Sequence, residues 1–372
     1  MLSIHRDTLR CTMRSLVSLI FLAFTAHAQF VLQKSPSPAS LRGVANIDGR
    51  IAWASGTSGT VLRTLDGGGT WQQCAVPEGA EKLDFRAVQA FDAQTAIVMS
   101  AGAGDASRLY RTTDGCRTWK LVFTNPDAPG GFFDALYVPQ HGEGWLLGDP
   151  VKGGFYVAVS RDGGSYWAKV PVPIQSDTEK GGAFAASNQS LAMGVAGPSF
   201  GGGGGLLYRG EQDRCPDPVQ YNDPNACATH VRFRRMSTDV GGAGSSAGIF
   251  AIAANDKAMV AVGGDYMHPE LATHTAAFSV NGGMGWQPAE TMPRGYRSTV
   301  AYDAATKTWI ATGPTGTDVS TDDGRNWHAL LPDAKAGDSA DADRNWNALS
   351  LPFAVGPKGR IGRLRDGALN KK

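Results

Sequence analysis

The chain has 372 residues, is 42% apolar with 48 glycines, and carries 35 basic against 34 acidic side chains. That composition describes a folded, turn-rich protein of one large β domain or two ordinary ones, and excludes a disordered chain. The even charge balance gives no global electrostatic case for nucleic acid or for an anionic membrane surface, so any charge-based function is local.

At the N-terminus, Arg6, Arg10 and Arg14 precede the apolar run Leu16 to Ala26, and Ala26-His27-Ala28 is a small-x-small cleavage pattern before Gln29. This reads as a secretory signal peptide cleaved after Ala28, with the mature chain periplasmic or secreted. Its apolar core is too short to span a bilayer as a stable helix, and no longer run follows, so no membrane span is expected. Removing residues 1–28 leaves 32 basic and 33 acidic side chains. Cys11 leaves with that segment. The even set Cys74, Cys116, Cys215 and Cys227 favours disulfides in an oxidising compartment over catalysis or metal binding. Cys215 with Cys227 would close a short loop and Cys74 with Cys116 would join neighbouring hairpins; crossed pairing stays open.

From residue 64 onward one short turn signal recurs. Thr64-Leu65-Asp66-Gly67-Gly68-Gly69-Thr70-Trp71 returns around Asp114 and Trp119, Asp162 and Trp167, Asn281 and Trp286, and Asp322 and Trp327. The Asp or Asn side chain accepts hydrogen bonds from the backbone just after it, Gly supplies positive φ, and the Trp covers the turn, so each copy marks a hairpin. The five Trp read as packing residues between repeats, not as a sugar-stacking platform. Asp66, Asp114 and Asp162 are each 48 residues apart, and Asn281 to Asp322 is 41. These periods suit a four-stranded propeller blade.

The gap from Asp162 to Asn281 is more than double, so one blade has lost the signal. Its strands are placed at Leu206 to Arg209 and His230 to Phe233, with the stretch from Cys215 to Cys227 replacing the tight turn. After Asp322 the sixth blade closes at Trp327 to Leu331. Trp346 to Leu351, Phe353 to Gly356 and Arg360 to Leu364 then leave a seventh blade one strand short. Phe30-Val31-Leu32-Gln33 is free to supply it and hide two edges. The expected fold is therefore all-β: residues 29–372 form a single seven-bladed β-propeller of four-stranded antiparallel blades, closed by the N-terminal strand completing the last blade. It is expected to act as a monomer.

The innermost strands carry a second repeat: Leu41-Arg42-Gly43-Val44, Phe85-Arg86-Ala87-Val88, Phe133-Asp134-Ala135-Leu136, Tyr296-Arg297-Ser298-Thr299 and Trp346-Asn347-Ala348-Leu349. A polar slot varies inside a fixed frame. Since innermost strands line a propeller's channel, Arg42, Arg86, Asp134, Arg297 and Asn347 are expected around one mouth. Loops between second and third strands would add Asp149, Asp265 and Tyr266, and in a wider circle Asp105, His268 and Glu270. Converging guanidinium forks suit a carboxylate, a phosphate or a peptide C-terminus. On this reading, Ala at Arg86 and Arg297 should leave the fold intact and abolish ligand capture.

Other features carry less. Gly201 to Gly205 lacks the Gly-Lys-Ser/Thr of a phosphate loop and reads as a flexible inter-strand loop. His268 and His274 lack metal-ligand spacing, and neither a Rossmann nor a flavin fingerprint is present, so neither metal nor cofactor is expected.

With these turns, and with Phe132-Phe133-Asp134-Ala135, Gly148-Asp149-Pro150, Gly263-Gly264-Asp265-Tyr266, Gly295-Tyr296-Arg297-Ser298 and Ala354-Val355-Gly356-Pro357-Lys358-Gly359, the chain resembles the Asp-box propellers. Among them it is most similar to a secreted bacterial branch of the photosystem II stability/assembly-factor-like family. The resemblance implies a binding or assembly scaffold for a protein or peptide partner, or for a small anionic or carbohydrate ligand. Asp boxes also occur in sialidases and xyloglucan-degrading enzymes, so the alternative is a glycoside hydrolase. It would draw on Asp134, Asp149 and Asp265, with Tyr266 as a sialidase-like nucleophile and Arg42, Arg86 and Arg297 on the substrate carboxylate. The Arg-Ile-Pro start usual in sialidases is missing, and no paired Glu is identifiable.

Overall fold

The computed structural model describes residues 30–170, 182–212, 231–242 and 244–370 of the chain. The proposed signal segment and the pair Cys215 and Cys227 lie outside them. Seven four-stranded antiparallel sheets follow one another around a ring. The first six blades begin at the strands Leu41–Asn46, Phe85–Ala90, Phe133–Tyr137, Leu191–Gly194, Ala247–Ala254 and Thr299–Asp303. Each continues outward in chain order.

The second strands are mostly apolar and do not alternate, as in Ala52–Gly56 and Ala96–Ser100, where every residue is buried. A strand covered by a neighbouring blade on each face has no solvent side on which to alternate. Outermost strands are the reverse. Gln72–Gln73, Ala168–Lys169, Gln287–Pro288 and His328–Ala329 have two residues each, all exposed. In these four blades the outer strand is thus a short edge that offers little to an intruding strand. The other three are longer: Lys120–Thr124 in the second blade, Phe30–Gln33 in the seventh, and, in the blade without the turn signal, Val231–Ser237, which pairs with Leu206–Gln212 over seven residues.

The five repeated turns share one hydrogen-bond scheme. In the first, Thr64 Oγ1 donates to Asp66 Oδ1 at 2.9 Å and accepts the Gly68 amide at 2.9 Å, while Asp66 Oδ1 accepts the Thr70 amide at 2.9 Å. Ser160, Ser279 and Ser320 play the Thr64 part in later copies. At Asp114 these donors hold the carboxyl down at about 2, the Thr118 hydroxyl being the largest contributor. Each following Trp packs on the preceding blade: Trp71 among Phe353 and Val355, Trp167 among Ile97 and Met99, Trp327 among Val260 and Phe278. The turns therefore fasten blade to blade. They sit at the end of the ring that carries the loops between first and second strands, since the Gly67 amide donates to Arg50 O.

The seventh blade is assembled from both chain ends. Ala348–Ser350, Phe353–Val355 and Ile361–Leu364 supply three strands, and Phe30–Gln33 pairs antiparallel with the last, Phe30 opposite Leu364 and Gln33 opposite Ile361. Gln33 then reaches the first blade, accepting from Trp71 Nε1 at 2.9 Å and donating to Gly67 O at 3.2 Å. Cys74 and Cys116 form a disulfide between the first two blades. Among the described residues no helix is long and apolar enough to cross a membrane.

Candidate functional site

The polar slot of the inner strands coincides with a backbone device. Pairing of first with second strands is irregular between Leu41 and Gly43, Phe85 and Ala87, Phe133 and Ala135, and Ile249 and Ala251. The extra residues are Arg42, Arg86, Asp134 and Phe250. A bulge takes one residue out of the ladder and re-aims its side chain.

Three of these four line a single pocket of about 500 Å3 on the face opposite the repeated turns: Arg42, Arg86 and Phe250. Asn347, Tyr296, Ser298 and Pro314 complete the wall from the last two blades, Tyr266 from the fifth, and Phe184, Ala185 and Ala186 from the segment entering the fourth. That segment runs on through the turn Asn188–Ser190, which crosses the channel. Asn188 Oδ1 accepts the Val88 amide at 3.3 Å, Gln189 Oε1 accepts from Thr299 Oγ1 at 3.0 Å, and Gln189 Nε2 donates to Leu349 O at 2.5 Å. Gly43 is required beside it: a Cβ there would lie 2.6 Å from Ser55 Oγ and 2.8 Å from Asn188 Oδ1. The site is thus a floored pocket, where the sequence suggested an open channel mouth.

Arg86 is anchored, its Nε donating to Asp84 Oδ2 at 2.8 Å and Nη1 to Ala185 O at 3.0 Å. Arg42 differs. It is half-buried, and its Nε is sealed from solvent without a hydrogen-bond partner. Burial pushes its pKa down, Asp84 pulls it back up, and the neighbouring Arg86 adds to the fall. The guanidinium nevertheless stays charged, since arginine titrates far above neutrality. Asn347 is oriented by donation to Leu41 O at 2.8 Å. Burial also raises the Tyr296 phenol, so it remains a neutral donor.

The carboxylates expected here do not line the pocket. Asp134 is 1% exposed and turns from its bulge toward Asp149. Burial, and next the Asp149 charge, raises the Asp134 carboxyl well above the ordinary value of 3.8. Asp149 is also raised by burial, against the pull of the Ala183 amide, which donates to Oδ1 at 3.1 Å. Both Asp134 oxygens are sealed from solvent without a hydrogen-bond partner, and Asp149 is the carboxyl beside them. A glycosidase keeps ~5 Å or more between its two carboxyls, both open to the sugar, whereas Asp134 is sealed from solvent. Asp265 instead accepts from the Met267 amide and meets His268 Nδ1 at 2.8 Å, a bond that lowers its pKa. Asp105 lies in an exposed turn beside Arg108. The set Asp134, Asp149, Asp265 and Tyr266 therefore does not converge on one reacting centre.

Arg297 is the main correction. It is fully buried, with Nε donating to Asp318 Oδ2 at 2.9 Å, Nη2 to the same oxygen, and Nη1 to Tyr296 O and Thr315 Oγ1. In the sixth blade Arg297 holds the place that Leu41 holds in the first, its amide donating to Gly263 O of the preceding blade as Leu41 N does to Gly356 O, so the slot falls one residue later, on Ser298, which lines the pocket. The glycine run is corrected too. Gly203 bridges to Gly248 of the next blade, and a Cβ on Gly201 would lie 2.3 Å from Ile249, so the run serves close packing.

No protein-family model matches the chain, and no curated protein matches its sequence. Solved structures do match. They include YCF48 propellers. One, described as YCF48 bound to D1 peptide, superposes with a TM-score of 0.58 at 15% identity, covering 91% of this chain and 97% of that one. Another, YCF48 from Cyanidioschyzon merolae, gives a TM-score of 0.57 at 17% identity, covering 91% and 99%. YCF48 is a photosystem II assembly factor with seven blades. At such identity the likeness establishes a common fold.

Sequence reasoning missed Phe250, Phe184 and the floor at residues 187–190. The frame Ile249-Phe250-Ala251 does match the inner-strand repeat, but an apolar residue in the slot gives no polar signal to follow.

Proposed function

We propose that the protein is a periplasmic or secreted binding scaffold of the assembly-factor type, recognising an anionic group on a protein or peptide partner at the floored pocket. The observation that carries this is Arg42: a half-buried guanidinium without a hydrogen-bonding partner for its Nε, held beside anchored Arg86. A carboxylate between them would receive charge-assisted bonds and relieve the repulsion of the two cations. A pocket of this volume encloses a few residues of an extended chain. Support for a peptide partner comes also from the propeller of like fold bound to a D1 peptide. The signal-like N-terminus and the Cys74–Cys116 disulfide support an oxidising compartment.

Calorimetric titration with short peptides as free acids and as C-terminal amides tests the reading. Free acids are expected to bind, amides at least tenfold more weakly, and Arg42→Ala to abolish the difference. Equal binding of acid and amide, or no binding of either, overturns it.

A further inference from the structure

The anion-binding reading leaves half of the pocket unexplained. Opposite Arg42 and Arg86 the lining is aromatic. Phe250 stacks on Phe184 with centroids 3.9 Å apart and planes at 18°, and meets the edges of Tyr296 at 4.8 Å and Tyr266 at 6.0 Å. Phe250 sits at the same bulge position as the two arginines. The backbone device that aims a guanidinium inward in the first two blades here aims a ring. Tyr266 is 49% exposed although it belongs to this cluster, so one side of the cluster is open. Ala185 and Ala186 keep the space in front of it clear.

Charged and aromatic halves meet at Tyr296, which lines the same pocket of about 500 Å3 as Arg42 and Arg86 and packs edge-on against Phe250. The two halves are therefore read by groups on one residue of the ligand, not by distant parts of a long chain. We infer that the pocket selects a peptide C-terminus whose last residue has an aromatic side chain, the carboxylate going to Arg42 and Arg86 and the ring to the wall formed by Phe184, Phe250 and Tyr266. Stacked and edge-on ring contacts add to plain apolar burial, which separates an aromatic terminus from an aliphatic one of similar size. This inference rests on the anion-binding reading above.

The test uses the full chain and N-acetylated tripeptides Gly-Gly-Phe, Gly-Gly-Leu and Gly-Gly-Ala as free acids, with the Phe amide as control. The expected order is Phe, Leu, Ala, with about tenfold or more between the ends, a gap that ring contacts plus apolar burial supply. Phe250→Leu keeps apolar volume without the ring face and is expected to bring the Phe-to-Leu ratio close to one. Tyr266→Ala, at an exposed position that does not threaten the fold, is expected to lower the same ratio. If all three free acids bind equally while the amide does not, the aromatic inference falls and the anion site stands. If the Phe acid and its amide bind alike, the anion site falls and takes the inference with it.

Discussion

Arg297 donates from Nε to Asp318 Oδ2 at 2.9 Å, and the two side chains are 0% and 1% exposed. Arg294 reaches the other oxygen of the same carboxylate at 2.9 Å. The pair is thus a sealed cross-brace inside the sixth blade. Removing one member of a buried pair strands the other, a loss of about 3–5 kcal/mol. Because Arg294 remains on Asp318, Arg297→Ala is expected near the lower end of that range. Urea unfolding checks it, and an unchanged midpoint would place the brace outside the stability of the fold. Arg42→Ala, by contrast, is expected to leave the midpoint within about 0.5 kcal/mol, as for a substitution that breaks no internal bond.

Asp134 and Asp149 give the fold a pH signature. Their folded pKa values lie above the ordinary 3.8, chiefly through burial. The folded state therefore holds more protons than the unfolded chain above pH ~4, and stability falls as pH rises through the folded values, by up to about 1.4 kcal/mol per pH unit for one proton. Below the unfolded value the contribution is fully present. Asp134→Asn keeps a donor toward Asp149 and has nothing to lose. Its melting temperature is expected to match that of the wild type near pH 4 and to exceed it increasingly toward pH 8. Parallel curves would mean that the proton is not shared.

The ring was legible because its signals are local. Asp66, Asp114 and Asp162 report a turn through bonds that span six residues, and that turn recurs in five of the seven blades. Closure by Phe30–Gln33 was legible as a missing strand and an unused one. The pocket was legible only in part. Arg42, Arg86 and Asn347 lie where the inner-strand frame puts them, but which residue occupies the slot is a register relation between neighbouring strands, and in the sixth blade that register puts Ser298 there in place of Arg297. Arg297 and Asp134 fit the same frame and turn away, each toward a carboxylate, Asp318 or Asp149, that is remote in sequence.

The disulfide between Cys74 and Cys116 links blades one and two across 42 residues. Closing a loop of that length restricts the unfolded chain, a stabilisation of about 2–4 kcal/mol. The double variant Cys74→Ser, Cys116→Ser is expected to lower unfolding free energy by that amount. Wild-type protein unfolded in the presence of a strong reductant should coincide with it. A midpoint indifferent to reductant would mean that the bridge does not form in solution.

Closure of the ring is the last point at which sequence and stability can be compared directly. Phe30 is buried, packs against Trp346 at a centroid distance of 5.0 Å, and pairs with Leu364 at the rim of the seventh blade. Phe30→Ala removes a core ring where the backbone is already at a sheet edge, with an expected cost of about 3–5 kcal/mol. Gln33→Ala removes a different link. It leaves the strand pairing intact but deletes the bonds to Trp71 Nε1 and Gly67 O that tie the seventh blade to the first, an expected loss of about 1–3 kcal/mol from two partly buried hydrogen bonds. If the closing strand acts as a clasp, both variants should raise amide exchange in Phe353–Val355 and Ile361–Leu364 before any effect reaches the third blade, since exposed edges open first. Uniform acceleration around the ring would instead show that the blades unfold as one unit and that the closing strand has no separate opening.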